Sequence, residues 1–172
     1  PAESDLALFT NQATYTLGFS QPATNSEARF SAASGQVTVD LGGQVWRQTN
    51  LTYFGYTAGA DVRVKAQGGE LETKALQLGN ISATAAGALT VAGATATVYG
   101  SSGLGIGMSG TGQVVVATGD AILRVPGGGT HLVGNNAGSA GSLLLSNGFL
   151  TVSGGITVGS SGRGTFLLNN GT

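Results

Sequence analysis

The stretch Ser142–Gly164, SLLLSNGFLTVSGGITVGSSGRG, reads as a short alternating strand, a glycine turn, a second strand, another glycine turn and a third strand. Slid along the chain with its glycines in register, it recurs as QVTVDLGGQVW from Gln36, DVRVKAQGGELE from Asp61, ALTVAGATAT from Ala88, QVVVATGDAIL from Gln113 and TFLLNNGT from Thr165. A unit of about 25 residues with three short strands cannot bury its own inner face and must stack on copies of itself. The repeat therefore predicts an all-β, single-stack, three-faced β-solenoid (β-helix) of roughly six to seven coils.

Alternation assigns the faces, because successive strand side chains point to opposite sides. Val37, Val62, Leu89, Val114, Leu143 and Phe166 form one inward column; Val39, Val64, Val91, Val116, Leu145 and Leu168 form the next. Thr38, Arg63, Thr90, Val115, Leu144 and Leu167 then face outward, and the last three make an apolar stripe suited to lateral contacts. A turn glycine follows each first strand, at Gly43, Gly69, Gly93, Gly119, Gly148 and Gly171, where a corner calls for positive φ. A second glycine series, Gly18, Gly55, Gly79, Gly107, Gly134 and Gly159, ends the third strands, with Leu17, Phe54, Leu78, Ile106, Val133 and Val158 inward. Residues 1–35 read as an irregular N-terminal coil with an insertion at 19–35, an inserted loop that protrudes or an extra strand, and residues 36–172 as continuous solenoid.

Composition narrows the function. The 31 glycines against seven basic and eight acidic residues lie outside ordinary globular usage, yet 41% of residues are hydrophobic and sit in alternations that can form a core. A net charge of −1 lacks the clustered Lys and Arg that nucleic acid requires. No apolar run is long enough for a membrane-spanning helix, so membrane insertion is not expected. The first residue is Pro1 instead of Met, from which we expect a product whose signal peptide has been removed. Without cysteine there are no disulfides and no thiolate metal sites.

Chemistry-bearing motifs resolve into architecture. GSSGLGIG at Gly100–Gly107 has dinucleotide-like glycine spacing but leads into the strand QVVVA instead of a helix, so it reads as a corner. His131, the only histidine, falls in a column otherwise holding Tyr15, Leu76, Leu104 and Ile156, and reads as a buried, hydrogen-bonded side chain. Asp40, Asp61, Asp120, Glu70 and Glu72 are spread over different coils and read as solvated corners, with Asp61, Arg63 and Lys65 pairing across one corner with Glu70 and Glu72. No catalytic residue, metal ligand or cofactor site is assigned, and the chain is not expected to be an enzyme. Trp46, Tyr53 and Tyr56 suit either a glycan platform or packing beneath residues 19–35, with packing the stronger reading.

The unit GSLLLSNGFLTVSGGITVGSSGRGTFLLNNGT resembles the repeats of autotransporter passenger domains and related secreted bacterial adhesins: a short alternation, N-G or G-G, a second alternation, then V-G and a Ser/Gly corner. The match runs over Gly69–Thr172 and is partial over Gln36–Gly68. The resemblance implies export, an extracellular or cell-surface location, and adhesive or structural roles. DLALF and ATYTLG read as second and third strands, while TFLLNNGT supplies a first strand and its turn. Asp5, Leu6, Leu8, Phe9, Phe166, Leu168 and Thr172 are thus expected at an end-to-end subunit interface of a filament. The alternative is an adhesin fragment that binds a glycan or host protein through its N-terminal coils.

Overall fold

The computed structural model describes residues 4–101 and 103–172; residues 1–3, including Pro1, and Ser102 lie outside the described residues. In chain order the strands begin β1 (Leu6–Phe9), β2 (Tyr15–Gly18), β3 (Ala23–Asn25), β4 (Glu27–Phe30), β5 (Gln36–Asp40) and β6 (Val45–Phe54). Next come β7 (Asp61–Gln67), β8 (Gly69–Leu78), β9 (Ala86–Val91), β10 (Ala94–Val98), β11 (Leu104–Ile106) and β12 (Thr111–Val116). The last six are β13 (Ile122–Val125), β14 (Thr130–Val133), β15 (Ala140–Ser146), β16 (Phe149–Val152), β17 (Gly155–Val158) and β18 (Arg163–Asn169).

The protein is an all-β solenoid of about seven turns with a period near 25 residues. One wall is the seven-stranded sheet β18-β15-β12-β9-β7-β5-β2. The second and third walls belong to one eleven-stranded sheet, because β6 and β8 are long enough to run through the corner between them. β6 takes that corner with a register irregularity between Gln48 and Leu51. Neighbouring strands are parallel, as required when every coil winds in the same direction. The core is a stack of aliphatic rows: Leu89, Val114 and Leu143 pair in register, as do Val91, Val116 and Leu145, and all six are buried.

Glycine makes the corner from third wall to first wall. Gly107 has φ +65°, and a Cβ there would collide with the Ala140 carbonyl; a Cβ on Gly141 would in turn strike the Ile106 carbonyl. Backbone therefore packs directly on backbone at this vertex. At the first turn the expected left-handed glycines are present at Gly43 and Gly93, Gly68 (φ +66°) takes the place expected for Gly69, Gly119 is not left-handed, and the last two turns place Asn147 (φ +69°) and Asn170 (φ +56°) there instead of Gly148 and Gly171. Asparagine tolerates this region because its short amide can bond locally.

Three expectations need correction. Val37 pairs with Val64 and Val39 with Ala66, while Val62 pairs with Gly87, so the first-strand columns slip by two residues at β7. A slip of two leaves every side chain on its original face, and Val62 and Val64 are both buried. Next, YTLG is not a third strand: β2 pairs with β5 on the first wall, and Gly18 is not a left-handed corner. DLALF supplies the third wall, with Phe9 beside Phe30 and Phe30 beside Phe54. Finally, residues 19–35 are not a protruding loop, and of the two expected forms it is the added strand that is present. They hold β3 and β4, both paired with β6, and bury Asn25, Ala28 and Phe30.

Candidate functional site

The ends and outer faces of the rod are built differently. At the C-terminal end, Phe166, Leu168 and Val158 are 39%, 57% and 41% exposed. Their in-register partners one coil earlier, Leu143, Leu145 and Val133, are at most 1% exposed. The columns that form the core thus continue onto an uncovered face. Thr172 lies along the second wall: its N–H donates to the Gly148 carbonyl (3.0 Å), and its own carbonyl accepts from Leu150 N–H (2.7 Å).

The N-terminal end is closed by rings. Phe9 stacks on Phe30 with centroids 4.3 Å apart, and Trp46 packs edge-on to Phe9 at 6.0 Å and tilted against Phe19 at 5.2 Å. Tyr15, Leu17, Phe19 and Ala23 are half-buried against the core in the same columns. Leu6 and Leu8 do not share these columns; both are exposed on the outer side of β1. The Asp5 carbonyl accepts from Ser26 N–H at 2.9 Å, extending the pairing of β1 with β4.

Trp46 is 3% exposed and cannot serve as a ligand platform. It belongs to a buried polar row at the bend from second to third wall, where Asn25, Gln48 and Thr73 pair in register. Trp46 Nε1–H donates to Asn25 Oδ1 (2.7 Å), and Asn25 Nδ2 donates to the Glu27 carbonyl (2.7 Å). With its amide oriented to satisfy these neighbours, Gln48 Nε2 donates to Thr52 Oγ1 and the Glu72 carbonyl (3.0 Å each), and Oε1 accepts from Trp46 Nε1–H (3.1 Å). Thr52 Oγ1 then donates to Thr73 Oγ1 (3.0 Å), which donates to the Ala75 carbonyl (2.9 Å). At this bend the buried side chains donate to the Glu27, Glu72 and Ala75 carbonyls and to one another, so the polar groups drawn into the interior find partners. Further along, Val98, Val125 and Val152 take over the row.

Tyr53 and Tyr56 remain half-exposed, with ring centroids 4.9 Å apart and the Arg29 guanidinium 4.2 Å over Tyr56. Arg29 is also paired with Glu27. Burial pushes the Tyr53 phenol above its usual pKa. His131 is buried as expected, in the row of Thr52, Leu76, Leu104 and Ile156 and not with Tyr15. Its Nδ1 accepts from Leu104 N–H (3.4 Å) and Nε2–H donates to the Gly127 carbonyl (3.1 Å), an arrangement that selects the Nε2–H tautomer. Val115, Leu144 and Leu167 are cross-strand neighbours on the first wall, half-buried except for exposed Leu167.

The acids do not converge. Among the described residues no group of three or more His, Cys, Asp or Glu is placed to hold a metal. The ion pairs also differ from expectation. Asp61 meets Arg63 on its own strand (3.9 Å), whereas Glu72 pairs with Arg47 one coil earlier, and Glu70 accepts from Thr97 Oγ1 (2.7 Å).

That last set marks a cleft absent from the sequence reading. Arg47, Thr49, Glu72, Thr97 and Tyr99 line a depression of about 430 Å³ on the outer second wall. Arg47, Glu72 and Thr97 are in-register partners on β6, β8 and β10. Their spacing of one 25-residue period was the available signal. Tyr99 OH donates to the Gln48 carbonyl (2.9 Å), reaching back across the intervening coil. Burial raises the pKa of this phenol, with Arg47 opposing and Glu72 adding to the shift.

Comparison with protein-family models, with curated proteins and with solved structures returns no match to this chain.

Proposed function

We propose that this chain is a structural subunit of an extracellular bacterial filament or surface layer, with the C-terminal face of one copy covered by the N-terminal face of the next. What supports this reading is the face formed by Val158, Phe166 and Leu168, whose in-register counterparts are buried in the coils before it except the first, where Phe9, Tyr15 and Leu17 are half-buried. The opposite face offers Phe9, Tyr15 and Leu17 in the same columns, so stacking continues both the apolar rows and the parallel ladders. Because the two faces differ, the contact is heterologous and propagates instead of closing into a dimer. The likeness of the repeats to those of secreted adhesins supports the extracellular setting. The Val115, Leu144 and Leu167 stripe would serve lateral contacts between rods.

Electron microscopy and sedimentation of the purified chain test this. Rods should lengthen with concentration, and Phe166→Asp combined with Leu168→Asp should hold them at single-subunit length without loss of β-sheet circular dichroism. Short monodisperse rods from the unaltered chain at every concentration would overturn it. The adjoining Tyr53 and Tyr56 rings with Arg29 support a second reading, an adhesin fragment that engages a glycan or host protein through its N-terminal coils; it expects short rods and loss of ligand capture on Tyr53→Ala.

A further inference from the structure

We propose that the cleft around Tyr99 is a binding subsite for a neutral sugar ring, a pyranose within an oligosaccharide. Three observations carry it. First, Tyr99 is a prepositioned platform. Its hydroxyl is committed to the Gln48 carbonyl and its backbone N–H to the Thr73 carbonyl, while the residue remains 38% exposed. A ring already held in place loses little conformational freedom when a ligand stacks on it. Second, the cleft volume of about 430 Å³ falls within the range of small-molecule sites.

Third, the polar groups beside the ring are balanced in charge and mixed in character. Arg47 Nε is engaged with Glu72, which leaves the guanidinium's remaining N–H groups as donors and gives the pair no net charge. Thr49 and Thr97 border the same cleft, Thr97 being tied to Glu70. An anionic ligand would meet Glu70 and Glu72; a cation would meet Arg47, with Arg124 next in the row. A sugar hydroxyl, which both donates and accepts, suits a site with both kinds of group, and the apolar C–H face of a pyranose suits the ring. Tyr99 has Lys74 as its counterpart in the coil before, so the platform is a local feature and not part of the repeat.

Isothermal titration calorimetry of the full chain against maltohexaose, cellohexaose, mannohexaose and galactohexaose, with a heparin hexasaccharide as the anionic comparison, tests the proposal. The measurement does not depend on end-to-end stacking, so its failure is separable from failure of the filament reading. At least one neutral hexasaccharide should give saturable heat below about 10 mM. Tyr99→Ala should weaken that binding by about tenfold or more, and Arg47→Met by about threefold or more, whereas Arg63→Gln on the first wall should not change it. Should Tyr99→Ala fail to fold, Tyr99→Leu with Arg47→Met gives the same reading. Absence of saturable heat with all four neutral sugars, binding of the heparin hexasaccharide alone, or binding that survives loss of the Tyr99 ring would each overturn it.

Discussion

The coils holding β1 to β8 and those holding β9 to β18 wind in the same direction but differ in their interiors. In the later coils Leu89, Val114 and Leu143 and their neighbours pack as aliphatic rows, with buried His131 the main polar exception. In the earlier coils a ring stack (Phe9, Phe30, Phe54) and a hydrogen-bonded row (Asn25, Gln48, Thr52, Thr73, with Trp46) occupy the equivalent space. Aliphatic rows are interchangeable from coil to coil, since their contacts are non-directional. A polar row must instead satisfy each group with a particular partner, and so specifies which coil neighbours which. Solvent contact differs too: most of the ion pairs, Tyr53, Tyr56 and the Tyr99 cleft lie on or against the earlier coils, leaving the later ones coated by small polar residues.

The largest expected effect breaks the aliphatic rows. Leu143→Asp should abolish folding, because a charge buried among Leu and Val costs several kcal/mol, and thermal melts followed by circular dichroism should show no cooperative transition. Gly107→Ala tests the vertex shared by both halves. Its positive φ and the facing Ala140 carbonyl predict a loss of roughly 3 kcal/mol in urea unfolding, whereas Gly18→Ala, with open space around it, should be nearly neutral.

Trp46→Phe addresses the earlier coils alone. It leaves Asn25 Oδ1 and Gln48 Oε1 without the indole donor and should cost about 2 kcal/mol. Adding Asn25→Leu should cost less than the sum of the two single changes, since one partner no longer strands the other; strict additivity in the double-mutant cycle would count against a coupled polar row. The smallest effect is expected for Arg63→Gln, whose side chain is largely exposed and 3.9 Å from Asp61: a change within about 0.5 kcal/mol.

Much of this fold was legible because a β-strand has period two. Leu89, Val114 and Leu143 announce their inward side by alternation alone, and Gly55, Gly79, Gly107 and Gly134 mark corners where a Cβ would strike the next coil, with Gly159 at a corner of the same positive φ. The same periodicity hid the slip at β7, since Val62 and Val64 face inward in either register. It also hid the phase of the first coil. YTLG carries an alternation followed by glycine, a pattern that occurs on more than one wall, and only pairing with Gln36–Asp40 places it on the first. With that phase shifted, Ala23–Asn25 and Glu27–Phe30 looked like surplus chain.

The outer cleft was harder to see, because Arg47, Glu72, Thr97 and Tyr99 carry no motif and meet only when coils stack. The sequence by itself therefore determined the class of fold, the period and the inward side of most strands, all of which follow from local alternation and from glycine's conformational range. Tertiary structure alone decided the register between coils, the burial of Trp46 and the meeting of Arg47, Glu72 and Tyr99. Those depend on which strand lies beside which, a long-range choice made by the packing of whole coils.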